Sequence, residues 1–196
     1  MGGDRRSFTG AVLAGGASSR MGTDKALLEV NGRVLVSGAA TALRDAGASN
    51  VIVIGGDLEA LRQLGLVVHP DDEPGQGPLG GLLTALRLAT DDIVMILACD
   101  MPAIDAESVA TIVDALAGGE GRDVAVPVVA GRRQCLTAAY RQRSALHLAA
   151  AYAGGERAPR RAIVGLDVVE VMGLDEHRLG DVDRPDDLHR YARRQL

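Results

Sequence analysis

Tryptophan is absent from this chain of 196 residues, and phenylalanine and tyrosine together supply only 2% of it. Surfaces that grip single-stranded nucleic acid stack bases on aromatic rings, so that kind of platform is missing. An excess of positive charge is missing too. The 26 acidic and 21 basic residues give a formal charge of −5, the wrong sign for a face that neutralises a phosphate backbone. No apolar run is long enough to span a bilayer, the stretch 93–99 being among the longest. Arg5-Arg6-Ser7-Phe8 is only superficially like a twin-arginine leader, because Gly10, Gly15 and Gly16 interrupt the apolar stretch after it. The two cysteines, Cys99 and Cys135, sit inside apolar runs, which suits small buried hydrophobes better than a disulfide or a metal centre. The expectation is a cytoplasmic protein with a small-molecule ligand, no nucleic-acid partner and no membrane.

Lysine is scarce as well. Lys25 is the one lysine in the chain, and every other basic residue is arginine. A compact ammonium in that background suggests a task the planar guanidinium suits less well, such as donating as a point charge to crowded phosphate oxygens. Its neighbourhood supports that. Lys25 closes the segment Leu13-Ala14-Gly15-Gly16-Ala17-Ser18-Ser19-Arg20-Met21-Gly22-Thr23-Asp24-Lys25, a glycine-rich turn following the first apolar run.

What is abundant is core material: 47% of residues are hydrophobic and 24% charged, and no linker interrupts the chain, so residues 1–196 read as one domain. Short β-rich runs alternate with helical stretches. Strand-like 9–14 precedes helical 34–46, 51–54 precedes 57–64, 66–69 precedes 79–89, and 93–98 precedes 106–116, with 123–128 following. That order indicates parallel strands joined by right-handed helical crossovers, and strands apolar throughout suit a sheet covered on both faces. Beyond Val129 the pattern changes. Ala130-Gly131-Arg132-Arg133 reads as a hairpin turn, so 134–140 is expected to run antiparallel to 123–128, giving a mixed sheet. Helical 144–153, a strand over 167–172 and a last helix over 185–194 complete the chain.

Ligands of open parallel sheets bind at the carboxyl ends of the strands. Gly15 and Gly16 let backbone amides approach phosphate oxygens, with Arg20 and Lys25 supplying charge. The spacing fits neither the Walker A pattern nor the dinucleotide fingerprint. Asp100 follows the buried run 93–99, and a carboxylate emerging there calls for a compensating cation, which Mg²⁺ on a phosphate supplies. Asp105 is the better candidate to cap the next helix. Asp71 and the loop of Gly75, Gly77, Pro78, Leu79, Gly80 and Gly81 are placed to close around a flat heterocycle. Asp181 and Asp183 share one side of an extended segment, and one of them could complete a metal site with Asp100. The histidines show no metal-ligand spacing, and no serine sits in a nucleophile elbow.

The first loop closely resembles the nucleotide-binding signature of the molybdenum cofactor guanylyltransferases, the MobA-like nucleotidyltransferases. The resemblance runs on through 74–81, Cys99-Asp100-Met101-Pro102, Gln134-Cys135-Leu136 and 181–188. It implies a Rossmann-like, three-layer α/β/α nucleotidyltransferase fold, mostly parallel with one antiparallel strand. The N-terminal half would bind nucleotide and the C-terminal half the acceptor. The implied reaction is transfer of GMP from GTP to the terminal phosphate of molybdopterin, with Mg²⁺ and release of pyrophosphate. The resemblance puts Leu13, Ala14, Gly15 and Gly16 on the nucleotide, with Gly77, Pro78, Leu79 and Gly80 closing over it. It puts Arg20 and Lys25 on the phosphates, Asp71 near guanine or ribose, and the metal on Asp100, for which Asp183 is the expected second ligand. Transient contact with molybdopterin-delivering proteins or molybdoenzymes fits such a role. Departures from the family pattern are Asp181 and Asp183 in place of asparagines, Gly55 and Gly56 after the second strand, and Cys135 in place of proline. CTP as donor, another phosphate acceptor, or a non-catalytic nucleotide-binding adaptor are the alternatives these departures leave open.

Overall fold

The computed structural model describes residues 7–15, 24–182 and Tyr191. Among the described residues the main sheet has eight strands, seven of which, β1 (Phe8–Leu13), β4 (Asn50–Ile54), β5 (Val68–His69), β6 (Ile93–Ala98), β7 (Val124–Val129), β9 (Thr137–Arg141) and β10 (Val168–Val171), lie in the spatial order β10-β7-β9-β6-β1-β4-β5. A short strand, β8 (Arg132–Arg133), turns back antiparallel on β7. β1 is parallel to both β4 and β6. β9 inserts antiparallel between β6 and β7, so the expected reversal is present, although the strand starts at Thr137 rather than Gln134. Residues 185–194, apart from Tyr191, lie outside the described residues.

The helices are α1 (Leu35–Asp45), α2 (Leu58–Gln63), α3 (Pro78–Leu88), α4 (Ala106–Ala117), α5 (Ala145–Ala153) and α6 (Pro159–Ala162). Alternation along the strands sends side chains to opposite faces. Ile93, Met95 and Leu97 of β6 join Val36, Ala39 and Leu43 of α1 and Val109, Ile112 and Leu116 of α4 on one face. Val94 and Ile96 join Leu79, Leu82 and Leu86 of α3 and Leu148 of α5 on the other. Two helical layers therefore cover the sheet, and a fully buried leucine such as Leu43 or Leu86 costs about 2–5 kcal/mol when cut to alanine. Gly10 is required by that packing: a Cβ there would fall 2.9 Å from Leu43 Cδ1.

Local signals explain where elements begin. Asp57 caps α2 by accepting from the amides of Glu59 and Ala60, and Asp105 caps α4 by accepting from that of Ser108. α3 starts one residue earlier than the periodicity suggests, because Pro78 occupies its first turn and Gly77, at φ 92°, makes the bend into it. A small hairpin, β2 (Glu29–Val30) with β3 (Arg33–Val34), turns on Asn31 and Gly32, both at positive φ.

Candidate active site

The strand order reverses at β1: β4 and β5 lie on one side and β6 on the other. Such a switch point opens a crevice at the carboxyl edge. The turn after β1 and the turn after β6 meet there. Lys25 Nζ donates to Asp100 Oδ2 at 2.7 Å, and the two side chains are only 13% and 20% exposed. Antiparallel β9 begins at the same edge, since Thr137 pairs with Leu97 and the Ala98 amide donates to the Leu136 carbonyl at 2.8 Å. The Val182 amide donates to the Asp100 carbonyl at 3.0 Å, which ties the acidic segment near the chain's end to the same turn.

A cavity of about 460 Å³ opens beside Asp100, with Asp181, Met101 and Cys135 on its wall together with Arg133, Arg157, Arg160 and Arg161. Most of these guanidinium groups are held in place. Arg133 donates to Glu170 at 2.8 Å and Arg161 to Glu156 at 2.6 and 2.8 Å. Arg157 lies over the Tyr152 ring at 4.0 Å and donates to the Tyr152 and Glu156 carbonyls. Hydrogen bonds from Arg161, then from the Ala158 and Arg157 amides, hold the Glu156 carboxyl down at about 2. Arg157, Arg160 and Arg161 carry no mark in the sequence, because arginine is ordinary in this chain; only the packing of the 157–161 segment against α3 and α5 gathers them.

Asp71 Oδ1 accepts from the Glu73 amide at 3.0 Å and from Thr84 Oγ1 at 3.3 Å. Its Oδ2 lies 3.9 Å from where a Cβ on Gly15 would stand and 3.7 Å from one on Gly81, so Asp71 joins the glycine turn after β1 to the start of α3. The turn itself differs from expectation. The amides of Ala14 and Gly15 both donate to the Ile54 carbonyl, at 2.9 and 3.2 Å, and so hold the loop to β4 instead of pointing at a ligand. Leu13 and Ala14 are buried, and Leu79 is a fully buried core residue whose amide donates to the Arg157 carbonyl at 3.3 Å. Leu79 and Gly80 belong to the first turn of α3 rather than to a loop, while Gly77 and Pro78 stand at its mouth, Pro78 on the cavity wall. Gly16, Arg20 and Asp183 lie outside the described residues.

Both cysteines are buried and unbridged. Burial, followed by the Asp100 and Asp24 carboxylates, pushes the Cys99 thiol up to about 12, so the free side chain stays protonated at neutral pH. Among the described residues no group of three or more His, Cys, Asp or Glu could hold a metal alone. Asp100 and Asp181 nevertheless offer two carboxylates on one wall, and hard oxygen donors that leave positions for water and phosphate suit Mg²⁺. No helix among the described residues is long and apolar enough to cross a membrane.

The fold is that of a Rossmann-like nucleotidyltransferase. The model of the MobA-like NTP transferase domain matches residues 10–168, and the chain belongs to that family. A probable molybdenum cofactor guanylyltransferase from Carboxydothermus hydrogenoformans is 39% identical over 137 residues, covering 70% of this chain and 67% of that protein. A second, from Deinococcus radiodurans, is 35% identical over 181 residues, 92% of each. The crystal structure of molybdopterin-guanine dinucleotide biosynthesis protein A from Archaeoglobus fulgidus is similar in fold, with a TM-score of 0.75 at 23% identity over 94% of this chain and 96% of that one.

Proposed function

We propose that this enzyme transfers GMP from GTP to the terminal phosphate of molybdopterin and releases pyrophosphate in a Mg²⁺-dependent reaction. The observation that carries this reading is the Lys25–Asp100 contact of 2.7 Å, with Asp100 on the wall of an arginine-lined cavity. Relatives named as guanylyltransferases along most of the chain support the choice of donor and acceptor.

The acceptor's phosphate oxygen is ionised at neutral pH, so attack on the α-phosphorus of GTP needs no strong base. One P–O bond forms, the bond from the α-phosphorus to its bridging oxygen breaks, and pyrophosphate leaves. Catalysis is then alignment and charge neutralisation. Lys25, with Arg20, takes the β- and γ-phosphates, and its ammonium balances charge on the departing pyrophosphate. Asp71 orients the guanosine from beside Gly15. Asp100, with Asp181 or Asp183, would hold Mg²⁺, which when bound withdraws charge from the α-phosphate oxygens. Arg133, Arg157 and Arg160 set the acceptor's phosphate against the donor. In this reading the N-terminal half of a single domain serves the nucleotide and the C-terminal half the acceptor, and the reaction runs in the cytoplasm, where molybdopterin-delivering proteins and molybdoenzymes are the expected contacts.

The decisive assay measures pyrophosphate release from GTP and Mg²⁺ with and without molybdopterin, and with CTP in place of GTP. Release confined to the mixture of GTP and molybdopterin is the expected result. Release with CTP alone of the two donors, or none with either, overturns the assignment.

A further inference from the structure

Lys25 has four rotatable bonds and a single charge at their end, so where that charge points depends on how firmly its backbone is held. The residue before it does the holding. Asp24 Oδ1 accepts from the Ala26 amide at 3.0 Å, capping the 3-10 turn Lys25–Leu27. Asp24 Oδ2 accepts from the Asp57 amide at 2.9 Å, across 33 residues of sequence, in the loop that leaves β4. That loop is shaped to receive it. Gly56 sits at φ +75°, and a Cβ there would meet Asp24 Oδ2 and Ala14 Cβ at 3.2 Å each and Leu61 Cδ1 at 2.8 Å. Both partners of the carboxylate are backbone amides on different strand exits, and hydrogen bonds to an ionised acceptor are stronger than neutral ones.

We infer that Asp24 is a positioning residue for the transfer reaction: it clips the root of Lys25 to the rim of the neighbouring strand, and so fixes the turn from which the ammonium reaches both Asp100 and the triphosphate. The inference rests on the reading that Lys25 binds phosphate. A turn cap alone would need only the Ala26 bond. The second bond to Asp57 locks the turn against β4, the strand whose Ile54 carbonyl also holds Ala14 and Gly15, so glycine turn and lysine turn share one anchor.

The test is a double-mutant cycle read by calorimetric binding of inorganic pyrophosphate in the presence of Mg²⁺, using the parent chain, Asp24→Asn, Lys25→Gln and the double variant. Asparagine keeps one carbonyl acceptor and turns an NH₂ donor toward the other backbone amide, so the two-bond bridge is lost whichever position the carbonyl takes. Asp24→Asn is expected to weaken pyrophosphate binding about tenfold in the parent, and by less than about twofold in the Lys25→Gln background, because coupled residues are not additive. An equal loss in both backgrounds, or no loss in the parent, overturns the clip. Lys25→Gln binding as tightly as the parent overturns the phosphate role of Lys25 and the clip with it, whereas a weakened Lys25→Gln beside an unaffected Asp24→Asn overturns the clip alone. Asp24→Ser, too short to bridge yet able to cap, repeats the cycle if Asp24→Asn melts early, and the same comparisons decide.

Discussion

Lys25 Nζ and Asp100 Oδ2 stand 2.7 Å apart in largely shielded surroundings, so each group compensates a charge that burial would otherwise penalise. The contact joins the turn after β1 to the turn after β6. Removing the ammonium takes away the cation that directly faces this carboxylate and, in the proposed reaction, one of the charges that balance the triphosphate. Lys25→Ala is therefore expected to lower kcat by about 10²–10³-fold, the usual range for losing one preorganised donor, while far-UV circular dichroism stays that of the parent. Steady-state pyrophosphate release measures it, and near-normal turnover would refute the assigned role. Lys25→Arg should recover little, because the fork cannot occupy the same enclosed point.

The turns after β1 and β4 touch through glycines. Gly55 is at φ +76°, and a Cβ on it would lie 3.0 Å from Gly15 Cα and 3.1 Å from Gly15 N. Gly55→Ala combines backbone strain with displacement of the glycine turn after β1, a loss of about 2–3 kcal/mol on the scale of such conformations. Gly65 isolates the two effects: its φ is +75°, with nothing within 4 Å of a Cβ, so Gly65→Ala should cost only the strain, about 1 kcal/mol. Urea melts of both variants provide the check. Equal losses would mean that the close approach of the two turns carries no energy.

The α/β order, the parallel sheet and the antiparallel strand were legible because apolar runs bounded by turn residues mark strands, and their alternation with helices leaves few topologies. The convergence of Lys25 and Asp100 on one edge was legible for the same reason, since both follow strands at the carboxyl edge, but the cation expected beside Asp100 was Mg²⁺, and the structure puts the lysine itself there. Local chemistry was less fully read. Asn31-Gly32 is a strong hairpin signal, yet β2 and β3 are two residues each, too short for their alternation to register. α6 has four residues, below what periodicity can detect. Pro78 after Gly77 marks a helix start, which moves Leu79 from a binding loop into the core. The free direction of an amide is not written in composition at all: Ala14 and Gly15 donate to Ile54 only because β4 lies beside β1.

The arginines of the cavity differ in how they are anchored, and this separates binding from structure. Arg157 is tied to Tyr152 and Glu156, so its removal disturbs the fold. Arg160 is an exposed residue of α6 on the cavity wall. Arg160→Ala is expected to raise KM for the acceptor about tenfold, the scale of one charge-assisted contact. KM for GTP and the melting temperature should stay unchanged. Initial rates with each substrate varied in turn provide the measurement, and a rise confined to GTP would place the arginine wall on the donor instead.

Glu156 links protonation to that wall. Its carboxylate accepts from Arg161 Nε and Nη2 at 2.6 and 2.8 Å and from the Arg157 and Ala158 amides, both at 2.7 Å, so it staples the turn carrying Arg157, Arg160 and Arg161. These bonds, the Arg161 side chain foremost, depress its pKa from 4.5 to about 2. A depressed folded value means that the stabilisation is complete above the unfolded value near 4.5 and is lost as pH falls through about 2. The staple is therefore intact throughout the neutral range. Glu156→Gln, which cannot ionise, should melt below the parent by a constant margin above pH 4.5, and that margin should close as pH approaches 2. Melting curves of both proteins across that window decide it. A margin that persists undiminished to the acid end would show that the charge on Glu156 is not what holds the arginine turn.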